Sequence, residues 1–213
     1  FNLPKEPITK LMGLAVETAK VKIKGFGIET KGPLLVTHWG FSGPAILLAS
    51  SFGARKLAES NYQFEIEVNW LEEQNTEKLY QHLQEIIRQY PKKMIASQKG
   101  FQIPQRLWQF LIAKANISAD KRWNELGKKN TRRLIELLTK DHYTVSGKTT
   151  FKEEFVTCGG VALEAIHLNT LESKTSKGIY FAGEVIDIDA VTGGYNFQAA
   201  WSTGYIAGKL EIN

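Results

Sequence analysis

The residues best suited to hold a reactive ligand lie near the end of the 213-residue chain. Gly183 and Glu184 follow a short apolar stretch, Ile179-Tyr180-Phe181-Ala182, and Gly193-Gly194-Tyr195-Asn196 opens an apolar run that reaches Ala207. Apolar runs punctuated in this way predict a strand, an acidic turn and a glycine-opened helix. A helix start presents unpaired N–H groups and the positive end of a dipole, and glycines let a ligand approach the main chain closely. An electron-rich oxygen or a phosphate suits such a place. The Glu184 and Asp187 carboxylates either accept hydrogen bonds from ligand hydroxyls or cap the turn. Asn196 and Gln198 either add side-chain contacts or cap the helix.

Two other stretches place reactive side chains beside glycines. Thr37-His38-Trp39-Gly40-Phe41-Ser42-Gly43-Pro44 follows the apolar Leu34-Leu35-Val36 and precedes Ala45–Ala49. Ser42 is the expected N-cap there, with Pro44 in the first turn. Hydrolase chemistry is disfavoured, because Gly40-Phe41-Ser42-Gly43 is not G-x-S-x-G and spacing suggests no third triad member. Val156-Thr157-Cys158-Gly159-Gly160-Val161 contains the only cysteine. Without a CxxC partner or an adjacent cation, Cys158 reads as a buried, inert thiol rather than a redox one. Its single occurrence excludes an internal disulfide and fits a reducing, cytoplasmic setting. No metal-ligand pattern is present.

The elements that must position these residues fall into three blocks. Ala19, Val21 and Ile23 alternate with Lys20, Lys22 and Lys24, and Tyr62–Trp70 alternates over its whole length, both with the period of half-buried strands. Gly25 and Gly27 read as a bulge or hairpin, and Gly32-Pro33 as a turn before a short strand. From residue 75 the period becomes helical, with one helix through Leu79, Leu83, Ile86 and Ile87 ending at Pro91 and another opening at Pro104. A short third helix is expected from Ser118 to Leu126, and a fourth from Asn130 or Thr131 to Lys140. Trp108 and Trp123 read as core anchors. Strand character returns at Tyr143–Val145 and Thr149–Val156, and Ile166–Ser173 reads as a hairpin arm. The fold class predicted is α+β: an antiparallel β-barrel or sheet (1–74 and 142–158) with an inserted helical bundle (75–141), followed by a C-terminal segment (159–213).

Composition is that of an ordinary globular protein, with 43% hydrophobic and 23% charged residues. No apolar run approaches a membrane span and no signal-peptide pattern opens the chain. The chain begins at Phe1 rather than methionine, which suggests excision from something longer. The net charge of +5 is uneven, since residues 75–148 hold 15 Lys/Arg against 6 Asp/Glu. That surplus reads first as a solvated helical face; a module contacting nucleic acid is the alternative.

The string F-A-G-E-V-x-D-x-D…T-G-G-Y-N-x-Q-x-A-x-x-T-G, with the blocks Thr37–Pro44 and Val156–Val161 in the same order, resembles bacterial flavoproteins known as BaiN-like or aminoacetone oxidase-like NAD(P)/FAD-dependent oxidoreductases. The resemblance implies that residues 159–213 are the C-terminal strand-turn-helix part of a Rossmann-like FAD-binding domain. It implies FAD contacts from Gly183, Glu184, Val185, Asp187, Gly193, Gly194, Tyr195, Asn196 and Gln198. His38 and Tyr195 become the candidates for proton transfer at the active site. The function implied is FAD-dependent oxidoreduction of a small organic substrate, with NAD(P)H or oxygen as second partner. One departure is plain: no G-x-G-x-x-G follows a strand, because Lys24-Gly25-Phe26-Gly27 lacks the third glycine and the helix. The part that would hold adenosine and pyrophosphate is therefore expected outside these residues, leaving this fragment inactive and without FAD. A noncatalytic scaffold that keeps the motif for folding is a further alternative.

Overall fold

The computed structural model describes residues 1–73, 75–97, 99–149, 156–191 and 193–209. The chain divides into two units, Phe1–Ala49 with Lys56–Thr149, and Ser50–Arg55 with Thr150–Asn213. The first unit contains β1 (Ala15–Ile23), β2 (Ile28–Val36), β3 (Phe41–Ser42), β4 (Gln63–Asn69), α2 (Thr76–Gln89), α3 (Gln105–Lys114), α4 (Gly127–Thr139) and β5 (Asp141–Ser146). Helix α1 (Pro44–Glu59) contributes its ends to this unit and Ser50–Arg55 to the second.

The sheet is five-stranded and antiparallel, in the order β3-β2-β1-β4-β5. The period-two pattern is realised as expected, with Ala19, Val21, Ile23, Phe64, Ile66 and Val68 all buried. Gly25 and Gly27 take positive φ in the tight connection between Ile23 and Ile28, which pair directly. Gly32-Pro33 is not a turn, because β2 runs through it. The register of β1 slips between Val16 and Ala19, so an extra residue of β1 lies opposite the proline that cannot donate to the ladder.

Strands β4 and β5 are neighbours, with Val68 opposite Asp141 and Phe64 opposite Val145, although three helices separate them in sequence. Helix α2 is capped by the Asn75 side chain, which accepts from Glu77 N (3.0 Å) and Lys78 N (3.1 Å). Trp108 and Trp123 are buried and stacked, 6.0 Å between ring centroids, as core anchors should be. The expected helix at 118–126 is only a 3₁₀ turn, Trp123–Glu125. Its donors are taken elsewhere: Trp123 N and Asn124 N bond the carbonyls of Lys93 and Pro91, and the Ser118 hydroxyl donates to Asp120. Helix α4 starts at Gly127, earlier than expected, because the Thr131 hydroxyl donates back to Gly127 O (2.9 Å) from inside the helix instead of capping it. Ser42 likewise is not a cap: it belongs to β3, and Gly43 (φ +95°) precedes α1.

Asp141, fully buried at the start of β5, joins the sheet to the helices. Its carboxylate accepts from Trp70 Nε1 (3.1 Å), from Lys114 Nζ on α3 (2.5 Å) and from the Tyr143 hydroxyl. The Lys114 ammonium also lies 4.1 Å from the Tyr143 ring centroid. Burial and the adjacent carboxylate hold the Tyr143 phenol well above its usual range, so it remains a donor.

The second unit has a smaller core of Ile166, Leu171 and Ile186, with Phe181 and Ile206 against it. Ile166–Ser173, expected as a single hairpin arm, instead folds back on itself, with β6 (Ile166–His167) paired to β7 (Glu172–Ser173). Ile179–Ala182 is not a full strand: a single bridge joins Tyr180 to Glu172, and Gly178 and Gly183, both at φ +82°, bend the chain at either side. A 3₁₀ turn, Gly183–Val185, leads towards α5 (Gly194–Gly208). Thr150–Phe155, where part of a strand was expected, lie outside the described residues.

Removing the Asp141 carboxylate strands three donors. Asp141→Ala is expected to lower stability by about 3 kcal/mol or more, read as an earlier urea midpoint. An unchanged midpoint would show that water replaces the carboxylate. Gly160 (φ +145°) permits the closest backbone approach in the second unit, since a Cβ there would lie 2.5 Å from Val185 O. Gly160→Ala is expected to loosen this unit, seen as faster proteolysis between residues 156 and 209, while Gly178→Ala, with open space around its Cα, has a smaller effect.

Candidate functional site

The N-terminus of α5 and the turn at Gly183 form one wall of a cleft of about 380 Å³, lined by Gly183, Glu184, Gly193, Gly194 and Asn196. Val156, Ile188, Phe197, Ala199 and Ala200 complete it with apolar surface. Five of the nine residues expected at a cofactor thus come together, while Val185, Asp187, Tyr195 and Gln198 are not among the lining residues. Sequence reasoning missed the apolar members; Ala199 and Ala200, in the second turn of an apolar helix, carried no signal beyond helix formation.

Glycine geometry shapes the mouth. Gly183 and Gly193 adopt φ of +82° and +144°, and a Cβ at Gly183, Gly193 or Gly194 would meet nothing within 4 Å, so the main chain is open to an approaching group. The Gly183 N–H donates to the Thr203 hydroxyl (2.9 Å), which itself reaches back to Ala199 O (2.8 Å). That pair ties the turn to α5. The first-turn N–H groups of α5 have no partner within the helix.

Glu184 is exposed and, among the described residues, accepts one long bond, 3.3 Å, from Thr157 N. Its carboxylate can therefore take other donors. Asn196 is committed: Oδ1 accepts from Ala190 N (2.9 Å) and Nδ2 donates to Ala190 O (3.0 Å), clamping the preceding loop onto the helix. Gln198 donates to Ser202 Oγ (3.0 Å) one turn along. The Asp187 carboxylate accepts from the Arg55 guanidinium at 2.7 and 2.5 Å, an ion pair inside the second unit. Tyr195 points out of the helix, 69% exposed, with Phe197, Trp201 and Tyr205 also exposed.

Cys158 is exposed, not buried as expected. The expectation failed because neighbouring glycines say nothing about what packs over a side chain. Hydrogen bonding to Asp189 and partial burial push its pKa up, against the opposing pull of Arg55, so the thiol is a poor nucleophile at neutral pH. His38 belongs to the first unit, exposed on a turn closed by Thr37 N–H to Gly40 O (2.8 Å), with its ring edge-on to Trp39 at 4.5 Å. Among the described residues no cluster of three or more His, Cys, Asp or Glu could hold a metal ion, and no helix is long and apolar enough to cross a membrane.

A family described as "HI0933-like protein barrel and H2TH domain" matches residues 1–156. Ribosomal RNA dihydrouridine synthase of Haemophilus influenzae is 30% identical over 93% of the chain and 46% of its own length. The protein of that name from Escherichia coli is 31% identical over 96% of the chain and 49% of its own length. The 3-dehydro-bile acid delta(4,6)-reductase of Clostridium scindens is 26% identical over 98% and 51%, so the chain spans about half the length of these relatives. The narrower resemblance to aminoacetone oxidase-like proteins gives way to this broader grouping. The chain belongs to the HI0933-like family.

Proposed function

We propose that the chain is the substrate-side and C-terminal portion of an FAD-dependent oxidoreductase. The supporting observation is the cleft at the start of α5, which joins open glycine main chain, an available carboxylate and apolar walls in about 380 Å³. That volume suits the ring and ribityl part of a flavin rather than the whole of FAD. Bound there, the flavin would supply hydride transfer.

The chain's own residues bind and orient. Glu184 would accept hydrogen bonds from ribityl hydroxyls, and the N–H groups of Gly194 and Tyr195 would stabilise the negative charge that a flavin gains on reduction. Ile188, Phe197, Ala199 and Ala200 exclude water. Asn196 positions the preceding loop through Ala190, and Asp187 is held by Arg55. Proton transfer is assigned to His38 or Tyr195, and NAD(P)H or oxygen serves as the second redox partner.

The relatives' names support a reductase reading. Dihydrouridine is uridine with two hydrogens added across the C5–C6 double bond, which is conjugated to a ring carbonyl; a delta(4,6) steroid carrying a 3-oxo group presents the same grouping. The reading for this chain is hydride addition to the carbon remote from such a carbonyl, with a proton delivered to the nearer one. This chain is assigned to that class of conjugate reduction.

In the full-length protein, Glu184→Ala is expected to weaken FAD binding about tenfold, from loss of a charge-assisted hydrogen bond of about 1.5 kcal/mol. Glu164→Ala, in the same unit but outside the cleft, leaves flavin absorbance per protein unchanged. Equal flavin content in both variants would reject the assignment. The 213-residue chain alone is expected to stay colourless after FAD addition and gel filtration; a stoichiometric flavin spectrum would show that the cleft is sufficient without further chain.

A further inference from the structure

Residues 178–208, which carry the glycines of the cleft and α5, hold three carboxylates, Glu184, Asp187 and Asp189, and no Lys or Arg. The cation that meets them comes from α1. Arg55 Nη2 donates to both oxygens of Asp187, at 2.7 and 2.5 Å, from 132 residues away. The Asp187 side chain is 20% exposed, so its charge is largely withdrawn from water and the guanidinium replaces the lost solvation. The same guanidinium also reaches the Cys158 side chain. One group thus meets two segments of the second unit, 157–161 and 183–187.

Those segments are joined beside the turn that carries Glu184. Val161 N donates to Val185 O (2.8 Å) and Asp187 N to Val161 O (3.0 Å), a close approach that Gly160 permits. Thr157 N, next to Cys158, reaches the Glu184 carboxylate itself. The turn, Gly183–Val185, has no side-chain cap and no buried residue, so packing does not set where Glu184 stands. Its main chain is held by the Ile186 N to Gly183 O bond (3.2 Å) and by the pairing with Val161, and Arg55 grips the chain immediately past it. Pairing Asp187 with a cation also limits the negative charge gathered around Glu184.

We infer that Arg55 is a positioning residue for the cleft: by fixing Asp187 it holds the turn that presents the Glu184 carboxylate. Arg55 acts through Glu184 and need not touch the ligand. Only the consequence for FAD binding rests on the flavin reading; the placement of the turn is a property of the chain alone.

Amide hydrogen exchange of the 213-residue chain tests the placement without flavin. Arg55→Gln and Asp187→Asn are each expected to speed exchange of the Val161 and Ile186 N–H groups about fivefold, with β6 and β7 unchanged. Arg133→Gln, which breaks an exposed ion pair with Glu136 in α4, changes none of these. The melting midpoint moves far less than with Asp141→Ala, because an exposed pair adds little to global stability. In the full-length protein, Arg55→Gln is expected to weaken FAD binding about fivefold when Glu184 is present and not at all in the Glu184→Ala background. Wild-type exchange in both variants overturns the inference. So does an equal loss of FAD binding in both backgrounds, which would give Arg55 a contact of its own. Loss of binding in Glu184→Ala with none in Arg55→Gln also overturns it, while the flavin reading stands. Equal flavin content in Glu184→Ala and Glu164→Ala rejects the flavin reading alone, and exchange then decides the placement.

Discussion

A buried carboxylate sets the architecture of the first unit. Asp141 has no exposed surface, so its charge is tolerable only while it is surrounded by donors. Those donors come from the end of β4 (Trp70), from α3 (Lys114) and from its own strand (Tyr143). Moving any one of these elements takes a donor from a charge held in a low-dielectric interior. The helices between β4 and β5 are thus fixed to the sheet by position, in addition to their apolar packing. Apolar burial supplies most of the stability, while this group restricts which arrangement of sheet and helices is stable.

The second unit works by a different rule. Its apolar core is small and α5 has no buried residue, so its local shape depends on main-chain geometry and polar clamps. Gly160 lets Val161 and Ile186 bridge, Thr203 fastens the Gly183 turn, and Asn196 fastens the loop at Ala190. These clamps leave the main chain at Gly193 and Gly194 open and Glu184 held by one long hydrogen bond among the described residues. The pattern fits a binding surface: rigid supports behind, unused donors and acceptors in front.

Much of this was legible in the sequence where the signal is local and periodic. Alternation in β1 and β4, the apolar period of α2 and α4, and the buried tryptophans all follow from spacing alone. Errors arose where a partner remote in sequence decides the outcome. Pro33 breaks a strand in isolation but not opposite a bulge in β1. Ser118 starts a helix unless the donors of residues 123 and 124 are claimed by residues 91–93. At the candidate site the glycines and Glu184 were readable from the motif. The commitment of Asp187 to Arg55, 132 residues away, and of Asn196 to Ala190 was not, because nothing near either residue announces its partner. Lys114 and Asp141 went unremarked for the same reason.

The pairing of β4 with β5 also governs the order in which this fold can be made. Trp70 and Asp141 are 71 residues apart, so during synthesis β4 emerges several seconds before its neighbour at about 5–20 residues per second. Over that interval β4 presents an open strand edge on the growing chain, a template for pairing with the wrong chain. Its outward side chains suit that exposure: Gln63, Glu65 and Glu67 alternate with the buried Phe64, Ile66 and Val68. Two carboxylates on so short a strand repel an identical strand lying alongside in register. The same glutamates that give β4 its clear alternation act as gatekeepers while α2, α3 and α4 are still being synthesised.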